Sequence, residues 1–208
     1  MSLHKELWTA GEESFAAIVD HPIPAGISAG DLPKAVLARL VAIDSLHLED
    51  YARALALIAA KAPTLGDLAH FAGIAMGAAR SAGPKRQAML GILGEEPPVP
   101  PASDRPYGAF LASAGRDLGF AEALAAVLPR LWFHAELGKE LQRRSSPDPV
   151  YRAFIDVHLH RDYLPVVEAT LALVDALGAR VSAAERSAMA ARFAEGARFE
   201  LGVWESAR

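Results

Sequence analysis

The chain has no cysteine among its 208 residues. That excludes disulfides, thiolate metal sites and thiol catalysis, because each needs a cysteine sulfur. Aromatic residues are sparse, at 7%. No apolar run reaches the roughly 18 residues that suggest a membrane-spanning helix. No basic tract is present either. The formal charge is −4, with both signs interspersed, so neither nucleic acid nor a membrane is an expected partner. The opening Met1-Ser2-Leu3-His4-Lys5-Glu6-Leu7 has no apolar core of a secretory signal, and a cytoplasmic location is expected by default. Strand signals are nearly absent, since no alternating Val/Ile/Thr run is bounded by turns.

What is abundant is alanine, the best helix former. Hydrophobic residues make up 52% and charged residues 22%, a globular composition at its apolar end. One helical domain over 1–208 is expected. Extra apolar surface points to a homo-oligomer, a dimer or tetramer. The punctuation predicts helices over about 4–20, 31–61, 65–93, 106–117, 119–143, 148–163, 166–177 and 183–206. Asp31-Leu32-Pro33 reads as a helix start, and Asp148-Pro149 as another. Thr64…Asp67 and Ser182…Glu185 read as capping boxes. An interruption is expected near Gly83-Pro84, and a kink or split at Pro165. His21-Pro22-Ile23-Pro24-Ala25-Gly26 and Pro97–Pro101 are expected as loops.

Helical spacing gathers polar side chains onto shared faces. Asp44, His47 and Tyr51 follow at intervals of three and four. Arg130 and His134 are four apart in an otherwise apolar stretch, Leu128-Pro129-Arg130-Leu131-Trp132-Phe133-His134. His158 and Asp162 are four apart, as are Glu200 and Trp204. Gly196, one turn before Glu200, is expected to leave space beside the carboxylate. Each group also has a structural reading: a hydrogen-bonded core histidine, an Asp44–Arg53 pair, a salt-bridged Arg130.

Several segments together resemble the TenA/thiaminase II family. His21-Pro22, Gly30-Asp31-Leu32-Pro33 and the helix from Asp44 to Tyr51-Ala52-Arg53 are similar to that family's opening. Tyr107 with Phe110-Leu111, Pro129-Arg130-Leu131-Trp132-Phe133-His134-Ala135-Glu136-Leu137-Gly138, and Phe199-Glu200-Leu201-Gly202-Val203-Trp204 resemble its later motifs in the same order. The resemblance implies an all-α, haem-oxygenase-like bundle with a central buried pocket. It implies action on thiamin or on aminopyrimidines from its breakdown. In such proteins a cysteine attacks the pyrimidine, a C-terminal glutamate handles protons and an aspartate anchors the ring.

Carried over, Asp44, Tyr107 and Glu200 match pocket positions. The cysteine position is Arg130, and three positions usually occupied by tyrosine are His47, His134 and His158. A guanidinium donates hydrogen bonds and is no nucleophile. Arg130 therefore either neutralises Asp44 or Glu200, or binds an anionic group of a ligand. The expected function is non-cysteine hydrolysis of a small aminopyrimidine or related heterocycle. Asp44 and Glu200 would be catalytic; Asp44, His47, Tyr107, Arg130, His134 and His158 would bind substrate. No cofactor is required by that chemistry. Two rivals remain: a metal-dependent oxidase or oxygenase with His47, His134, His158 and Asp162 as ligands, and a non-catalytic ligand-binding or regulatory homologue.

Overall fold

A computed structural model describes residues 1–94, 105–144, 146–158 and 163–208, the side chains at 85, 89, 90, 92, 157 and 158 excepted. The described residues form α1 (Leu3–Val19), α2 (Pro22–Ala29), α3 (Lys34–Ala60), α4 (Leu65–Leu93), α5 (Pro106–Asp117), α6 (Phe120–Arg143), α7 (Pro149–His158), α8 (Tyr163–Gly178) and α9 (Ala183–Ser206). The all-α expectation holds among them.

The centre of the bundle is α6. From Ala123 to Phe133 every residue is buried. A helix buried on all sides must be covered on all sides, and α1, α3, α5, α7, α8 and α9 all touch it. Arg130 is the one charged residue in that stretch. Pro129 lies inside the same helix, so the carbonyl of Ala125 loses its intrahelical donor there. Beside this proline α9 crosses at Gly196. A Cβ at Gly196 would sit 2.2 Å from the Ala126 carbonyl oxygen and 3.2 Å from Pro129 Cγ. The space expected beside Glu200 is thus taken by the α6 backbone, and Gly196 is there to let two helices meet.

The outer helices close over this pair. On α1, Trp8 lies 4.7 Å from the Trp132 ring, and Phe15 lies 5.2 Å from Phe133, which in turn meets Phe193 of α9 at 5.9 Å. Such aromatic pairs add about 0.5–1.5 kcal/mol each beyond area burial. Polar contacts tie the same elements. The His4 ring Nδ1 is 2.7 Å from Asp175 Oδ2 on α8. Arg186 Nη1 donates to Glu6 Oε1 at 3.0 Å, across 180 residues of sequence.

Most helix ends follow local chemistry. Ser182 accepts from the Glu185 amide while the Glu185 carboxylate accepts from the Ser182 amide, the reciprocal cap expected. Asp148 Oδ1 accepts from the Val150 amide at 2.8 Å. Thr64 Oγ1 caps the Asp67 amide at 3.1 Å.

Three expectations fail. The His21–Gly26 segment is no loop: Pro22 is the first residue of α2, where the missing N–H costs nothing, and His21 Nδ1 accepts from the Ile23 amide at 3.3 Å. Helix α3 begins after Pro33 with no side-chain cap, so Asp31 does not start it. Helix α4 runs through Gly83-Pro84 unbroken, both residues lying on its exposed side. Pro165 is the third described residue of α8, and the junction with α7 just before it, where the kink or split was expected, includes residues 159–162, outside the described residues. The expected loop at Pro97–Pro101 lies outside the described residues.

Candidate functional site

Four helices supply the polar groups at the centre. Asp44, His47 and Tyr51 project from one face of α3. Tyr107 stands in the first turn of α5. Arg130 and His134 are stacked one turn apart on α6, and Glu200 comes from α9. Arg130 Nη2 donates to Asp44 Oδ1 at 2.8 Å. Its Nη1 lies 3.8 Å from Glu200 Oε2, within ion-pair range but too long for a hydrogen bond. His134 Nε2 is 3.4 Å from the same Oε2. The Tyr107 hydroxyl donates to Glu200 Oε1. The His47 ring packs against Tyr107 at 5.2 Å, and Phe199 stacks on Tyr107 at 5.6 Å.

Burial grades these groups. The Glu200 side chain is 1% exposed, Arg130 4%, His134 14% and Asp44 29%. Asp44 and His134, with Leu40, Phe154, Val203 and Trp204, line a cavity of about 10 Å³, near the smallest space that holds one water.

The charges reinforce one another. Burial works against ionised Glu200, but Arg130, His134 and the Tyr107 hydrogen bond outweigh it and hold the carboxyl below its ordinary value of 4.5. Burial likewise opposes the Arg130 charge, yet Asp44 and Glu200 raise its affinity for the proton further, so it stays a cation. Burial pushes the Tyr51, Tyr107 and Tyr163 hydroxyls up, leaving them neutral donors. Burial, then Arg130, lowers the His47 imidazole below 6.5. Two buried polar atoms of this cluster have no hydrogen-bond partner among the described residues, Arg130 Nη1 and His47 Nδ1. Leaving such groups unpaired costs about 1–3 kcal/mol each, more for a charged one.

The lowered His47 value sets a pH dependence. The unfolded chain takes up a proton near 6.5 that the folded chain resists, so stability falls as pH drops below 6.5. Urea unfolding at about pH 7.5 and 5.5 should show a lower midpoint at the acidic value. His47→Gln should reduce that difference. A residual part should persist from His21, which burial and Arg208 also lower.

The structure brings together Asp44, His47, Tyr107, Arg130, His134 and Glu200. It does not pair Asp44 with Arg53, which instead reaches Asp50 at 3.4 Å. His158 ends α7, but its side chain, like all of Asp162, lies outside the described residues. Among the described residues no group of three His, Asp or Glu side chains is placed to hold a metal ion.

One neighbour was not anticipated. Tyr163, at the start of α8, donates to the Leu131 carbonyl at 2.9 Å, and its hydroxyl feels Arg130, Glu200 and Asp44. Its place two residues before Pro165 was the available signal.

The helical arrangement is haem-oxygenase-like. A Shewanella denitrificans structure, described as a domain of unknown function with a haem oxygenase-like fold, matches with a TM-score of 0.75 at 12% identity, covering 100% of this chain and 92% of that one. A TenA homologue from P. horikoshii OT3 matches with a TM-score of 0.88 at 23% identity, covering 100% of this chain and 98% of that one. The sequence profile of the TENA/THI-4/PQQC family matches residues 8–208, and the chain belongs to that family. A protein of Halalkalibacterium halodurans named aminopyrimidine aminohydrolase is 25% identical over 214 residues, spanning 100% of this chain and 96% of its own length.

Proposed function

We propose that this protein hydrolyses a small aminopyrimidine or related heterocycle of the kind met in thiamin salvage, with water rather than a thiol as nucleophile. The observation that carries this reading is a buried glutamate kept ionised at the bundle centre. Glu200 is gripped by Tyr107, Arg130 and His134, with a second carboxylate, Asp44, on the far side of Arg130. Such a buried carboxylate beside titratable partners is suited to proton transfer. Asp44 orients the ring through charge-assisted hydrogen bonds, exchanging its contact with Arg130 for the ligand's amino group and ring nitrogen. His47 and Tyr107 form an aromatic wall, and the family pattern assigns His158 to substrate binding as well. The unpartnered Arg130 Nη1 takes an acceptor atom or anionic group of the ligand. Glu200 drives the proton transfers. The chain works as one domain over 1–208, in a dimer or tetramer.

Purified protein incubated with a panel of thiamin-derived aminopyrimidines should release ammonia or an amine from at least one. That release should fall by about two to four orders of magnitude in Glu200→Gln. Absence of both binding and turnover across the panel removes the reading. The 2.8 Å Arg130–Asp44 contact favours a second reading, a ligand-binding homologue without chemistry, because it neutralises the ring anchor. Tight binding without product in the same assay selects that one.

A further inference from the structure

Helix α3 carries an aspartate beyond Asp44. Asp50 follows His47 by three residues, and its side chain is 17% exposed. Its Oδ2 accepts from Arg105 Nη1 at 2.9 Å, and Arg105 is itself 16% exposed. Arg105 stands immediately before α5. Its Nε is buried without an acceptor among the described residues, so the guanidinium depends on Asp50. The same carboxylate meets α5 a second time. A Cβ on Gly108 would overlap Asp50 Oδ2 and lie 3.1 Å from its Cγ. The carboxylate thus fills the space that a side chain at Gly108 would take. It lies against the first turn of a helix with no side-chain cap of its own, where the helix dipole favours negative charge.

Tyr107 lies between these two contacts, two residues after Arg105 and one before Gly108. Its buried hydroxyl donates to Glu200 Oε1. His47 and Phe199 pack on its ring and restrain the tilt. How far the hydroxyl reaches is set by the backbone that carries it. We infer that Asp50 is a positioning residue of the site: by holding Arg105 and bearing on Gly108 it seats the first turn of α5, and so fixes where Tyr107 meets Glu200. Asp50 itself touches none of the reacting groups. Its effect on turnover rests on the hydrolytic reading above, whereas the placement of Tyr107 does not. Without the carboxylate the start of α5 loses its tether to α3, and Glu200 loses a donor held at one position. Small displacements of that kind cost rate out of proportion to their size.

The chain has four tyrosines, so carbon-13 labelling at tyrosine Cζ gives four signals, and Tyr107→Phe identifies the one that matters. That signal should carry the shift of a phenol bonded to a carboxylate. Asp50→Asn keeps the shape and removes the charge, and it should move the signal towards that of a free phenol. Arg105→Gln breaks the same tie from the other partner and should move it the same way. Arg53→Gln should leave it in place, because Arg53 is 70% exposed and reaches only Asp50 Oδ1, at 3.4 Å. On whichever aminopyrimidine turns over, Asp50→Asn should lower kcat by about 10–10²-fold. Added to Tyr107→Phe it should cost nothing further, since both act through one hydroxyl. An unmoved Tyr107 signal in whichever of Asp50→Asn and Arg105→Gln folds overturns the inference whatever the activity. A signal moved as far by Arg53→Gln overturns it too, as do losses that multiply in the double variant. A protein inert on every aminopyrimidine, in which Asp50→Asn still moves the signal, loses the hydrolytic reading and keeps the positioning role.

Discussion

Arg130→Met is expected to lower the unfolding free energy by about 3–5 kcal/mol. Methionine fills much of the same volume, so the loss comes from charge rather than from a cavity. Two carboxylates lose their cation. Asp44, 29% exposed, recovers part of its solvation from water, but Glu200, 1% exposed, does not. Its carboxyl then rises and takes up a proton, which moves the cost into a steeper pH dependence around neutrality. For a chain of this size, with about 2–4 °C per kcal/mol, the fall in Tm is roughly 6–20 °C. The double variant Arg130→Met/Glu200→Gln should recover a large part of that, because a neutral amide needs no counter-charge. A loss under about 1 kcal/mol in the single variant would show that the ion pairs are solvated and that the buried cluster is misread.

The second large effect is expected at Gly196. Gly196→Ala places a methyl 2.2 Å from the Ala126 carbonyl oxygen, and backbone cannot turn aside as a side chain can. Helices α6 and α9 must separate locally, at a cost of about 1–3 kcal/mol or more. Glu200 is one turn further along α9, so the same displacement carries its carboxylate away from Arg130 and His134. Activity should therefore fall further than stability. Gly73→Ala and Gly77→Ala are the matched controls. Nothing among the described residues lies within 4 Å of a Cβ at either position of α4. There alanine should stabilise by about 0.5–1 kcal/mol through helix propensity alone. Chemical unfolding of the three variants, with ammonia release alongside, separates these outcomes. Destabilisation at Gly73 equal to that at Gly196 would mean that glycine matters for a reason other than helix contact.

These two sites mark where sequence reasoning worked and where it stopped. Helices α5, α6 and α9 were legible nearly to the residue, and for α9 the reason is the local start at Ser182 and Glu185. Helix α2 was not, since the two prolines of Pro22-Ile23-Pro24 read as breaks until the histidine cap is seen. The site residues on α3, α5, α6 and α9 could be named from motif and helical spacing. Their mutual distances could not. That Arg130 bonds Asp44 while standing further from Glu200, or that His134 and not Glu200 faces the cavity, depends on how helices far apart in the chain cross. The purpose of Gly196 was misjudged for the same reason: its neighbour Ala126 is seventy residues away in sequence.

The tie between α1 and the last two helices has a consequence in time. A ribosome makes chains from the N-terminus, and domains fold as their parts emerge. Helix α1 buries Leu3, Leu7 and Ile18, yet the surfaces that receive it include Phe193 on α9 and the Arg186 partner of Glu6, 180 residues downstream. Until α9 has been made, helix α1 waits with part of its apolar face uncovered, in the stretch of synthesis when a crowded cell is most apt to glue one nascent chain to another.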